Sequence, residues 1–173
     1  MLDDSAPRAV AAFAEAARAF AASVDAATPA GWLPFVGHAA RHLARLYLLG
    51  IDLPTSEPEG ETYARPASPE VALRAVLAER DAYHGMFEPY EDAPAEARSL
   101  ARDLATVHVD VGEGLAAFDA GDVGAAAWAW RMALRGRAGE HAAHALRALH
   151  AVLFDECSPA YADVEDPTGL SGV

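Results

Sequence analysis

Between Trp128 and His150 the chain sets two tryptophans, four arginines and three histidines among alanines and leucines. Polar groups on a helix with apolar faces must reach solvent or find buried partners. A 3.6-residue repeat places His141 in the middle of an apolar face with Ala127, Trp130, Leu134, Ala138 and Ala145. An imidazole there needs partners for both ring nitrogens, as a core histidine bonded to a neighbouring helix or as a ligand or catalytic base. Asp103 and Asp110 lie two turns apart on an earlier segment and point the same way, with Gly114 one turn further on, where another helix can approach closely. Such carboxylates can pair with Arg131, Arg135 or Arg137 between helices, or serve as oxygen ligands or an acid–base group. Tyr83 and His84 add a phenol and an imidazole close to Asp81 and Phe87.

Two histidine pairs have spacings that can place two imidazoles on one ion, His38 with His42 and His141 with His144. His38 falls on a polar side beside Arg41 and Arg45. No glutamate takes the HExxH position, and no Glu-x-x-His motif of the di-iron bundles is present. No metal site and no cofactor is assigned on this basis.

The elements that must hold these groups read as helices. Val10, Phe13, Ala17, Phe20 and Val24 mark a first helix over about 7–27, with Ser5 as N-cap. Trp32, Phe35, Val36, Ala39, Leu43 and Leu46 mark a second, over about 32–49. A loop rich in Pro, Glu and Ser covers about 52–69, and a third helix runs from Glu70 to Tyr83 or His84. After a break at Pro89–Pro94, a fourth helix over about 95–119 carries Leu100, Leu104, Val107, Val111, Leu115 and Phe118. Gly121 and Asp122 cap a last helix over about 123–155, disturbed at Gly136 and Gly139 and placed at the bundle's centre by its two apolar faces. The expected fold is an all-α single-domain bundle of about five main helices over 1–157, with a loosely ordered tail over 158–173.

Composition narrows the partners. The net charge of −13, with all 13 basic residues arginine, opposes binding to a nucleic-acid backbone. The single cysteine, Cys157, leaves no internal disulfide and points to a reducing cytoplasm. Two early aspartates argue against a signal peptide, and no apolar run is long enough to span a bilayer.

Four stretches together carry a family resemblance: RHLARLYLLGIDLP (41–54), DAYHGMFEPY (81–90), SLARDLATVHVDVGEGLAAFDAG (99–121) and AWAWRMALRGRAGEHAAHALRALH (127–150). Over about 35–154 the chain resembles the bacterial domain-of-unknown-function family numbered five-zero-six-three. Of that family's Asp-Leu-x-Asp-Ile-Tyr-x-Asp run it keeps Asp103, Leu104 and Asp110, with Thr106 and His108 in place of an acid and a tyrosine. Ala138-Gly139-Glu140-His141 corresponds to the family's Trp-Gly-x-His, without its tryptophan. The resemblance implies an all-helical domain of undefined activity.

Two functional expectations follow. The first is a non-enzymatic binding or assembly module, acting on a protein partner or on itself, in which Asp103, Asp110, Arg131, Arg135 and His141 fix helix register. Its contact surface would lie beside Trp128 and Trp130. The second is a metal- or small-molecule-binding bundle, with hydrolysis among its activities, whose cleft is lined by His141, His144, Asp103, Asp110 and Tyr83. The two differ in whether these groups are buried and mutually satisfied or converge on an open cavity.

Overall fold

The computed structural model describes residues 5–55, 63–85 and 95–156. The apolar repeats become buried stripes. Val10, Phe13, Ala17, Phe20 and Val24 of α1 (Ser5–Asp25) are buried against α2 (Trp32–Gly50), whose own buried row is Phe35, Val36, Ala39, Leu43 and Leu46. Next come a short helix α3 (Glu70–Leu77), a two-stranded antiparallel hairpin of β1 (Ala82–Gly85) and β2 (Glu96–Ser99), and α4 (Leu100–Asp119). The chain then forms α5 (Val123–Arg135) and α6 (Arg137–Glu156). The result is an all-α single domain with six α-helices among the described residues and one small hairpin at its edge.

The helix at the centre is α4, not the last one, as the two-faced apolar pattern of 123–155 had implied. It packs against α1, α3, α5 and α6. Burial on several sides at once draws in Asp103, His108 and Asp110 together with the leucines and valines. Neighbouring elements must therefore supply the partners of those three polar groups.

Other expectations are corrected at element boundaries. The third helix does not reach Tyr83. It stops at Leu77, the chain turns at Ala78 (φ 50°), and residues 82–85 pair as a strand instead. The fourth helix starts at Leu100 and not at Ala95. Ser99 is its N-cap, accepting from the Arg102 backbone N–H at 3.1 Å, while Asp81 accepts from the Ala101 N–H at 2.7 Å. The predicted single helix over 123–155 is two helices meeting at Gly136. At that corner Gly139 lies against the Leu134 carbonyl so closely that a Cβ would overlap it. The disturbance expected at the two glycines is thus a full break.

The Ser5 side chain, Phe87, the break at Pro89–Pro94, Cys157 and the tail from Ser158 lie outside the described residues. Among the described residues, no helix is long and apolar enough to cross a membrane.

Candidate functional site

Two polar clusters sit on α4, seven residues apart, which is about 10 Å along the helix. The first is built around Asp103. Antiparallel pairing sets Tyr83 of β1 directly opposite Arg98 of β2, and cross-strand partners share a face of the hairpin. Both side chains reach the same carboxylate. The Tyr83 hydroxyl donates to Asp103 Oδ2, and Arg98 Nη2 lies 3.3 Å from Asp103 Oδ1. From α6, His141 Nδ1 lies 2.5 Å from Asp103 Oδ1. Arg98 also pairs with Glu140 at 3.3 Å.

This geometry settles the histidine's orientation. Asp103 accepts only, so Nδ1 of His141 carries the proton it donates. Arg98 Nη2 is 3.5 Å from the same nitrogen, but two donors make no bond. Among the described residues His141 Nε2 has no protein partner, and its ring lines an open cavity of about 580 Å³. Around it stand Arg98, Ser99, Arg102, Arg137, Glu96 and Glu140.

Burial works against the charge on Asp103, yet hydrogen bonds from His141 and Tyr83 and the Arg98 guanidinium outweigh it and hold the carboxyl below its ordinary value. Burial and then the bond to Asp103 push the Tyr83 phenol well above its usual range, so it stays a proton donor. Burial opposes the charge of Arg98 too, but Asp103 and Tyr83 raise its pKa. His144 packs over Gly85 beside Arg98, and burial followed by the Arg98 charge lowers its pKa.

A pH dependence follows with a definite sign. An unfolded aspartate titrates near ~3.9, above the folded Asp103, so this group's stabilisation is complete above that value and is lost as pH falls through the folded one. The stability difference between the wild type and Asp103→Asn is expected to narrow below about pH 4. Urea unfolding at stepped pH measures it, and a constant difference would contradict the assignment.

The second cluster surrounds Asp110. Arg65, from the segment between α2 and α3, and Arg137, the first residue of α6, both pair with Asp110 Oδ1, the latter at 2.8 Å. Arg65 also bonds Glu113 at 3.1 Å. A neighbouring cavity of about 390 Å³ is lined by these groups with Tyr63, Trp128 and Met132. The third buried polar group of α4, His108, meets Asp25 of α1 at 3.2 Å.

Tyr83, Asp103 and His141 therefore converge, with His144 nearby. Asp110 does not join them. Arg131 and Arg135 belong to neither cluster: Arg131 donates to the Leu53 carbonyl at 2.5 Å, and Arg135 lies on an exposed groove with Tyr47 and Ile51. The register role expected for these two arginines with Asp103 and Asp110 is thus corrected, since both project from α5 away from the carboxylate face. The surface expected beside both tryptophans is halved, because Trp130 is fully buried and only Trp128 reaches a cavity.

Arg98 and Arg65 were missed. Arg98 fell in the stretch read as the start of a helix, and Ser99 was the available signal against that reading. Arg65 stood in a loop with no periodicity to orient it. The His38 and His42 rings stand 6.4 Å apart, and among the described residues no three His, Cys, Asp or Glu side chains gather to hold a metal ion.

The sequence profile of a domain of unknown function, DUF5063, matches residues 4–155. A structural-genomics crystal structure, that of protein BF1032 from Bacteroides fragilis, aligns with a TM-score of 0.71 at 23% identity. The alignment covers 84% of this chain and 92% of that chain. At that identity the likeness establishes the fold. No curated protein matches.

Proposed function

The chain belongs to the DUF5063 family, and on that premise we propose that it is a non-enzymatic binding module that takes a small oxyanion-bearing molecule, a carboxylate or phosphate, in the cavity beside His141. One observation carries this reading. Asp103 is satisfied by Tyr83, Arg98 and His141, and two arginines at the cavity, Arg102 and Arg137, keep donors to spare. Among the described residues Arg102 makes no ion pair, Arg137 pairs through one of its nitrogens, and His141 Nε2, the acceptor of a neutral ring whose proton sits on Nδ1, has no protein partner. In a chain of net charge −13, a cavity whose three arginines balance its three carboxylates, Glu96, Asp103 and Glu140, opposes an anion less than the rest of the chain does. Among the described residues lining this cavity the one hydroxyl, that of Ser99, is committed to Asp81 at 2.9 Å, which supports binding over turnover.

A charge-assisted hydrogen bond contributes about 1.5–3 kcal/mol, so Arg102→Ala is expected to weaken inorganic phosphate binding by about tenfold or more. Isothermal titration of the full chain measures this. Unchanged affinity, or no phosphate binding by the wild type, would sink the reading.

The buried Asp103 behind His141 favours one second reading, because a carboxylate that orients an imidazole toward a cavity is also the arrangement of a general base. Hydrolysis of a nitrophenyl ester by the wild type, lost in His141→Ala, would move the conclusion there.

A further inference from the structure

The two cavities on α4 are not independent. Arg137 lines both of them, standing between the oxyanion donors on one side and an aromatic and thioether wall, Trp128 and Met132, on the other. We propose that the two cavities form one site for an amphipathic anion, whose charged head lies beside His141 and Arg102 while its flat apolar group rests on Trp128. This rests on the reading of the first cavity as an oxyanion site and extends it to the class of molecule bound.

Three features carry the extension. The chain leaves two large apolar side chains at this wall, Trp128 partly exposed and Met132 at 43% exposure, although Trp130 two residues away is fully buried. Apolar surface kept open inside a concavity with charged edges is what an apolar ligand group covers. In the second cavity Arg65 is held by Asp110 and Glu113, and Arg137 is shared with the first cavity, so a second anionic head would find no cation of its own there. Finally, Asp103 and Asp110 mark the two cavity floors about 10 Å apart on a rigid helix. The head and the apolar group must therefore be joined by a spacer of a few atoms that passes Arg137. Arg137 is 58% exposed and held by a single carboxylate, so it can swing toward the head without vacating the core.

The probes are inorganic phosphate and a series of phenylalkyl phosphates with linkers of one to six carbons, titrated against the full chain by calorimetry and by tryptophan fluorescence. Affinity is expected to rise about tenfold or more over inorganic phosphate, peaking at the linker whose length matches the span between the cavities. Trp128→Ala should abolish that gain while leaving inorganic phosphate binding as it was. Trp128 is partly exposed, so the variant is expected to fold. Phosphate binding with no gain along the series, or a gain that persists in Trp128→Ala, would overturn this inference and leave the oxyanion reading standing. A wild type that does not bind phosphate at all would remove that reading first.

Discussion

An Asp103→Ala variant is expected to lose about 3–5 kcal/mol of unfolding free energy, the range for removing one partner from a buried ion pair. Asp103 is 1% exposed and the Arg98 side chain 9%, so deleting the carboxylate leaves a largely buried guanidinium with Glu140 as its remaining carboxylate partner. Tyr83 and His141 lose their acceptor at the same time. Against a typical total of about 5–15 kcal/mol the effect is large enough to bring the domain near unfolding, and urea denaturation of the purified variants measures it. Adding Arg98→Met to Asp103→Ala should return part of the loss, because two apolar side chains leave no buried charge behind. Asp110→Ala is the control. Its arginine partners are 45% and 58% exposed and can take up water, so its expected cost is about 1 kcal/mol or less. If Asp110→Ala proves as damaging as Asp103→Ala, the distinction drawn between the two clusters is wrong.

The second large effect lies where α5 crosses α4. Trp130 is fully buried, with Phe13 at 4.7 Å and Phe118 at 6.0 Å between ring centroids, and its indole N–H donates to the Val111 carbonyl at 2.8 Å. Trp130→Ala is expected to cost about 3–5 kcal/mol through lost burial and the cavity left behind. The indole fits because Gly114 has no side chain: a Cβ there would overlap the ring. Gly114→Ala alone should therefore cost about 1–3 kcal/mol by overpacking. In the Trp130→Ala background the same change should be neutral or gain up to about 1 kcal/mol, since the clash is gone and alanine is the better helix former. The double-mutant cycle by urea denaturation reads this directly, and equal costs of Gly114→Ala in both backgrounds would refute the packing argument.

Much of the architecture was legible before the structure, for a local reason. Apolar side chains at helical spacing need one buried face wherever the helix goes, so Phe13, Phe20, Leu43 and Leu104 could be assigned to the interior from their spacing. Gly114 was legible as a point of close approach, though not as the seat of an indole. The hairpin was not legible. Its strands are four residues each, too short for an alternating pattern to stand out from a helical one. The expected helix start near Ala95 gave way to one at Leu100, where Ser99 and Asp81 accept the first free backbone N–H groups of α4.

The amino-acid sequence by itself determined the helical class and most of the buried stripes, and it named Tyr83, Asp103 and His141 only among a wider set of candidate polar residues. These follow from periodicity and side-chain chemistry, which act over one or two turns. Only the tertiary structure decided which polar groups meet. A carboxylate on α4 had several arginines to choose from, and its partner depended on strand register, on the break at Gly136 that opens α6 with Arg137, and on the path of the segment carrying Arg65. Ion pairing has no preferred sequence separation. Its partners are chosen by where the packed helices bring side chains within about 4 Å, and packing is a property of the whole chain.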